Sequence, residues 1–157
     1  EKNTTGNFQA MARKSIEVAS GCTLNYPTAL ILLNENDTSV QVFNGEEQTK
    51  EQIHVSKNTL VKGMVVYCSD NNTSPYKTQI QIDDSAVIKG EVYCSKNLAL
   101  QGSVFGSVYT NHFIVKKSGG VYVNHLFNGT INVKKLPIQY VGLLIDNESN
   151  SVAKWLD

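Results

Sequence analysis

Residues Ile80 to Cys94 read Ile-Gln-Ile-Asp-Asp-Ser-Ala-Val-Ile-Lys-Gly-Glu-Val-Tyr-Cys, and this stretch decides the fold. An aliphatic pair at positions i and i+2 is followed by a polar turn, by an aliphatic pair next to Lys-Gly, and by a closing apolar tripeptide. Residues Ile53 to Cys68 repeat this order, from Ile-His-Val to Val-Tyr-Cys. Such self-similarity predicts a solenoid, because one repeat cannot bury its apolar face without stacking on its neighbours.

The aliphatic pairs set the length of each repeat. They begin at Ile16, Ile53, Ile80, Leu98, Phe113 and Ile131. The last three steps are 18, 15 and 18 residues, which suits three short strands with tight corners at about 3.3 Å per residue. The first two steps, 37 and 27 residues, contain the turn-rich stretches 34–52 and 69–78, which favour external loops. We therefore predict an all-β fold: a single-stranded parallel β-helix of about six short coils with two loop insertions and small terminal caps.

A single domain is predicted to cover residues 1–157. Residues 1–15 form an N-terminal arm or cap, in which Asn7 to Lys14 suits either a short helix or an extended arm. The coils occupy residues 16–145. Residues 146–157 form a C-terminal cap, and Trp155 covers the end of the column.

The period of two along each strand assigns side chains to faces. We place in the interior one valine of each repeat and the residue two positions later, at Val66 and Cys68, Val92 and Cys94, Val108 and Thr110, and Val123 and His125. The residue between them then faces outward, and in three repeats it is Tyr67, Tyr93 or Tyr109. On strands about 4.8 Å apart these tyrosines form an external strip. The strip is either a stabilising stack or a surface for carbohydrate or a protein partner.

Cys68 and Cys94 occupy the same place in successive repeats. They are predicted to form either a disulfide between neighbouring coils or a pair of buried thiols. Cys22 stands at a corner without an obvious mate. The sequence has no Cys-x-x-Cys and no Cys/His spacing suited to zinc, so we predict no metal and no cofactor.

Charge and hydropathy argue against nucleic-acid binding and against a membrane-spanning segment within this sequence. Lysine plus arginine and aspartate plus glutamate both number 14, so no basic field recruits nucleic acid, and Lys116-Lys117 and Lys134-Lys135 are interpreted as solvated turn residues. No apolar run approaches the roughly 20 residues of a membrane span. The chain begins at Glu1 without a leader. We expect a cleaved signal or a membrane anchor outside this sequence, and the Asn/Ser/Thr-rich surface suits an extracytoplasmic setting.

The sequence shows no recognisable catalytic motif. His54, His112 and His125 lack a recognisable serine or cysteine partner. Asp83 and Asp84 are adjacent, so their side chains point to opposite sides of a strand and suit a solvated turn better than a shared site. We predict that the chain has no catalytic residues and is not an enzyme.

Three segments carry a resemblance to a known family: 87–92, 100–108 and 129–133, each with an aliphatic-x-Gly-x-aliphatic or closely related pattern. Residues 53 to 133 resemble the bactofilins, which are polymer-forming cytoskeletal proteins. The resemblance implies a right-handed β-helix that polymerises end to end. The chain is also similar to bacterial surface proteins in which such a column follows an N-terminal membrane anchor.

We therefore expect a non-catalytic structural or scaffold module of a bacterial cell-envelope protein. It would act through contacts with protein or envelope polysaccharide, or through self-association. One alternative is a carbohydrate-binding or polysaccharide-active β-helix. A second is a left-handed, hexapeptide-type acyltransferase, because aliphatic or thiol side chains recur every six residues at Ile82, Ile88, Cys94 and Leu100.

Overall fold

The computed structural model describes residues 1–34, 51–70, 76–136 and 140. These residues are all-β, with eleven strands and one short 3-10 helix, and without an α-helix. The elements are β1 (Thr5–Gly6), β2 (Gln9–Ala12), β3 (Ser15–Val18), β4 (Thr23–Asn34), β5 (Gln52–Val55), β6 (Leu60–Ser69), β7 (Ile80–Ile82), β8 (Val87–Leu100), β9 (Ser103–Lys117), β10 (Gly120–Val123), β11 (Thr130–Ile131) and the 3-10 helix η1 (Val133–Lys135). Most of the two predicted insertions, and the predicted C-terminal cap with Trp155, lie outside the described residues.

The strands form one curled parallel sheet, resembling half of a barrel. Among the described residues, every strand pairing is parallel except that of β9 with β10. The all-β class and the parallel sheet confirm the coarse prediction. A parallel sheet requires each strand to return by a crossover, and within the described residues the short connections 56–59, 83–86 and 101–102 form part of that return.

Paired residues fall into three rows that run across the strands. The first row contains Leu24, Val61, Ile88, Val104 and Ile131. The second contains Leu30, Val65, Val92 and Val108. The third contains Ile16, Ile53, Ile80, Leu98 and Phe113. The chain visits the rows in this order repeatedly, and their side chains supply most of the core inside the curl.

The third row tests the predicted repeat length directly. Ile16, Ile53, Ile80, Leu98 and Phe113 are successive partners, so four of the predicted pairings are confirmed. The prediction for Ile131 is wrong, because Ile131 pairs with Val104 of the first row. After Phe113 the chain reverses instead: β9 and β10 form an antiparallel hairpin whose turn residues, Ser118 and Gly119, both have positive φ, as a two-residue hairpin loop requires.

The six-residue lattice also fails. A hexapeptide fold would pair Ile88 with Gly106, eighteen residues later. The observed partner of Ile88 is Val104. Similarly, Cys94 pairs with Thr110, sixteen residues later. The regular spacing of Ile82, Ile88, Cys94 and Leu100 therefore describes one stretch of buried residues and does not continue as a lattice.

A row of glycines makes the corner between the first and second rows. Gly63 pairs with Gly90, which in turn pairs with Gly106, and all three have φ between 145° and 156°. A Cβ atom built on Gly90 would lie 1.9 Å from the carbonyl oxygen of Gly63. Only glycine allows this backbone approach without rearrangement. In the first repeat Thr28 takes this place, after a register shift between Leu24 and Thr28.

The N-terminal segment is extended, and the alternative of a helix is wrong. β1 and β2 both pair in parallel with β4. Partly buried Ala10 and Ala12 alternate with exposed Gln9 and Met11, which is the period of two that a strand shows when one face is covered. The segment thus belongs to the sheet.

Candidate functional site

The outer face of the second row carries the predicted tyrosine strip, and the register there corrects one of its members. Gly63 pairs with Gly90, so Tyr67 pairs with Cys94. Tyr67 is fully buried in the core. The prediction that Tyr67 faces outward is therefore wrong.

One additional residue explains the error. Gly63 and Tyr67 are separated by Met-Val-Val, whereas Gly90 and Tyr93 are separated only by Glu-Val. Because the glycines are held in register at the corner, the extra valine moves every later side chain of β6 to the opposite face. Val65 and Tyr67 are inward, not Val66 and Cys68 as predicted. The predicted inward Val123 and His125 belong to the hairpin region, where Val123 pairs with Ile114.

Tyr93 and Tyr109 do pair on adjacent strands. The line of paired residues continues from Tyr93 through Val66 to Ile31. Tyr109 is 44% exposed, and Tyr93 is partly buried. Two further tyrosines lie beside this line. Tyr26, also 44% exposed, packs edge-on against Tyr140 with 6.5 Å between ring centroids. We call Tyr26, Tyr93, Tyr109 and Tyr140 the outer tyrosine patch.

A buried carboxylate lies under this patch. Glu91 points to the outer face of β8, yet only 3% of the residue is exposed. The Tyr140 hydroxyl donates a hydrogen bond to Glu91 Oε2 at 3.3 Å. Burial, together with the nearby Glu91 carboxylate, raises the pKa of Tyr140. The sequence offered no spacing that links these partners, because they are 49 residues apart and Tyr140 follows no repeat.

The cysteines are free thiols, and the disulfide alternative is wrong. Cys94 is buried beside Tyr67, whereas Cys68 pairs with Leu33 and is only partly buried. The same extra residue in β6 puts Cys68 on the opposite face from Cys94. Burial raises the pKa of the Cys94 thiol to about 11 and also raises the pKa of Cys68. Raised values disfavour the reactive thiolate.

A polar ladder crosses the outer face of the third row. His54 Nε2 lies 3.0 Å from Asp83 Oδ2. Gln81 donates to the other oxygen of Asp83 at 2.8 Å and accepts from Gln52 at 3.2 Å. The spacing contained this signal: Ile53 pairs with Ile80, so His54 pairs with Gln81, and Asp83 follows two residues later on the same face.

Asp84 diverges from Asp83, as predicted. Its Oδ1 lies 2.9 Å from Lys57 Nζ, and this hydrogen bond raises the pKa of Lys57. The backbone turns here, because Ala86 N donates to Asp83 O and Ser85 has positive φ. The adjacent acids therefore serve two separate pairs. Across the described ranges, no three His, Cys, Asp or Glu side chains are grouped as a metal site.

A cavity of about 190 Å³ lies within the first strands. Its lining is mostly apolar and includes Phe8, Ala10, Ile16, Val18, Cys22 and Leu30. Glu1 and Glu17 also contribute. The cavity is the interior of the curl at its N-terminal end. In the described part of the chain, no further strand covers the core side chains there.

Comparisons with protein-family models, with curated proteins and with solved structures found no match for this chain. The bactofilin resemblance therefore stays a prediction. The described ranges contain no helix of the length and hydropathy needed for a membrane crossing. The pairs His54–Asp83, Lys57–Asp84 and Tyr140–Glu91 are separate from one another and lie on the outside of a continuous apolar core.

Proposed function

We propose that this chain is a non-catalytic structural or scaffold module of a bacterial cell-envelope protein. The observation that supports this proposal is the continuity of the three rows, in which residues from successive repeats pair in the same order. Such a core stiffens the chain along the stacking direction, since each strand is tied to its neighbours by ladder hydrogen bonds. The outer faces then act as contact surfaces.

The proposed architecture is a parallel β-helix, with the right-handed winding that the bactofilin resemblance implies. Repeated passage through three rows is what a solenoid of short strands does. The prediction of about six coils rests on the spacing of aliphatic pairs. A crystal structure of the full chain would test both features, and a left-handed winding would contradict the resemblance.

Self-association is one way in which the scaffold would act. β1, β2 and β3 each pair on one side within the described part of the chain, and β11 does the same at the other end. Unpaired strand edges can template further strands. Sedimentation velocity over a wide concentration range should therefore detect assemblies.

A substitution pair at β2 sharpens this test. Ala10 lines the end cavity, whereas Met11 is 70% exposed on the outer face. Ala10→Glu puts an inward charge at the edge and should abolish assembly. Met11→Glu carries the same charge and should assemble normally. A chain that stays monomeric at all concentrations would contradict self-association and leave the outer faces as the contact surfaces.

A second candidate function is carbohydrate binding by the outer tyrosine patch. It is favoured by the pairing of Tyr93 with Tyr109 next to the exposed ring of Tyr26. Tyrosine offers an apolar face and a polar hydroxyl on the same side chain. Glycan-array binding that is lost in Tyr109→Ala, but kept in Tyr122→Ala on the hairpin, would replace the scaffold proposal.

We also propose an extracytoplasmic location with anchoring by a segment outside this sequence. The Asn/Ser/Thr-rich composition supports this proposal. Protease accessibility of the protein in intact cells would test it. Complete protection by the cell envelope, followed by digestion only after lysis of the cytoplasmic membrane, would contradict it.

A further inference from the structure

Charge is distributed unevenly along this neutral protein. Residues 92–136 contain five lysines and no aspartate or glutamate. The lysines are Lys96, Lys116, Lys117, Lys134 and Lys135. All except Lys96 are exposed. Because the whole chain has equal numbers of acidic and basic residues, this acid-free part is a local cationic region, and neighbouring carboxylates from its own sequence do not neutralise it.

The same part of the chain exposes large apolar side chains. They are Val121 at 38%, Tyr122 at 51%, Leu126 at 45%, Phe127 at 40%, Ile131 at 42% and Val133 at 62%. Single exposed apolar residues are common on soluble proteins, but a group of them within thirteen residues of sequence indicates an interaction surface. In the described residues, β11 is the last strand of the first row, so the group lies at the C-terminal end of the curl.

Lysine and apolar side chains are interleaved there. Lys116 is the cross-strand partner of Val121 in the hairpin. Lys117 Nζ lies 4.1 Å from the centroid of the Phe127 ring. Lys134 and Lys135 follow Val133 directly in η1, and Lys135 Nζ lies 4.8 Å from the centroid of the Phe105 ring. We call residues 116–135 the terminal surface.

We propose that the terminal surface docks on a bilayer that contains anionic lipid. Its lysines would contact the headgroup phosphates, while its valine, leucine and aromatic side chains would enter the interface. Lysines near an anionic membrane surface are attracted to its headgroups, and amphipathic side chains such as tyrosine suit the headgroup region. This inference goes beyond the scaffold role, because it gives the module an end-on orientation.

Other occupants satisfy only half of the observations. A nucleic acid or another soluble polyanion would pair with the lysines but leave Val133 and Leu126 in water. A purely apolar partner would bury those residues but has no need of an acid-free surrounding. A membrane with anionic headgroups has both components at the same boundary, and this complementarity of charge and hydropathy decides for it.

The test is co-sedimentation of the full chain with two kinds of vesicle: phosphatidylcholine alone, and phosphatidylcholine with phosphatidylglycerol. Binding is expected only to the second kind, and it should weaken as salt is raised, because screening shortens the range of the attraction. The double substitution Lys134→Glu with Lys135→Glu should weaken binding at least about tenfold. Val133→Ser should also weaken it, since less apolar area enters the interface.

A matched control keeps the net charge equal. Lys2→Glu with Lys14→Glu reverses two exposed lysines in the N-terminal segment and should leave vesicle binding unchanged. Thermal melts confirm that each variant is folded.

The proposal is overturned if the full chain does not bind anionic vesicles, binds neutral vesicles equally, or binds as well after reversal of Lys134 and Lys135. Unchanged binding by Val133→Ser would contradict apolar entry, and binding to an RNA or DNA duplex in place of vesicles would identify a polyanion site. Because self-association is measured without lipid, failure of this proposal and failure of the scaffold proposal are distinguishable.

Discussion

Tyr67 and Cys94 are paired across β6 and β8, and both side chains point into the interior of the curled sheet. Leu32 precedes Tyr67 in this line, and Thr110 follows Cys94. The Tyr67 hydroxyl is buried beside the side chains of Asn34 and Ser69, but it forms no hydrogen bond of good geometry with the residues that the structure describes. Burial raises the pKa of Tyr67. The ring therefore contributes packing, while its hydroxyl carries a desolvation cost.

This cost predicts the effect of two substitutions at Tyr67. Tyr67→Phe should leave the free energy of unfolding unchanged or raise it by about 1–2 kcal/mol, because it removes a buried hydroxyl that is poorly hydrogen-bonded. Tyr67→Ala should lower it by about 3–5 kcal/mol through loss of the ring. Urea denaturation measures both, with Tyr109→Phe as an exposed control. A loss of stability in Tyr67→Phe would mean that the hydroxyl is bonded in solution.

The glycine corner predicts a large difference between two alanine substitutions. Gly90→Ala brings a Cβ to 1.9 Å from the Gly63 carbonyl oxygen, at a φ of 150°. Gly119→Ala also has positive φ, but nothing lies within 4 Å of its Cβ position. We expect Gly119→Ala to cost about 1 kcal/mol and Gly90→Ala to cost several times more. Equal denaturation midpoints for the two variants would contradict the close approach at the corner.

The buried thiol of Cys94 predicts a pH dependence. Its pKa in the folded state is about 11, raised from 9.0, so the folded state holds this proton more tightly than the unfolded state does. Stability from this group is fully present below about pH 9 and is lost as pH rises toward about 11. The loss should be on the order of 3 kcal/mol.

The measurement is the slope of unfolding free energy against pH over this window, in the parent chain and in Cys94→Ala. The variant should show a shallower decline, because alanine carries no proton. Tyr140 contributes to both slopes. Beyond the effect of burial, the neighbouring Cys94 thiolate adds to the raised pKa of Tyr67, so the variant loses that coupling as well. Identical slopes would show that Cys94 titrates normally in the folded protein.

The hydrogen bond from Tyr140 to Glu91 predicts that a distant residue stabilises β8. Tyr140→Phe should lower the free energy of unfolding by about 1.5–3 kcal/mol, the range for a buried hydrogen bond to a charged group. Tyr122→Phe, at a ring that is 51% exposed, is the control and should be neutral. Denaturation at neutral pH measures both. No change in Tyr140→Phe would place Tyr140 away from Glu91 in solution.

Much of the sheet could be predicted, because strand pairing places the aliphatic pairs of successive repeats side by side. The positions of Ile16, Ile53, Ile80 and Leu98 alone predicted the register of the third row. The face of the sheet on which a side chain lies was harder to predict, because it depends on the nearest residue of each strand whose register is fixed. The Val-Tyr-Cys tripeptides look equivalent, but Gly63 and Gly90 determine the register, and one added valine reverses the face.

The site residues were harder to predict for a different reason. Tyr140 covers Glu91 from 49 residues away, and no periodic pattern encodes a contact made by a segment outside the repeats. The hairpin at β9 and β10 was missed because Ile131 continues the expected spacing, while the turn at Ser118 and Gly119 reverses the chain before it. Turn chemistry was the available signal, since Ser-Gly-Gly favours positive φ.

The glycine row also implies that further repeats can be inserted into the domain. Gly90 and Gly106 are paired neighbours sixteen residues apart, so residues 90–105 constitute one complete module with its own corner. Inserting a second copy of this module after Phe105 should lengthen the protein by about 4.8 Å and leave both ends unaltered. We expect tandem duplication of such a module to set the length of the domain along the stacking direction.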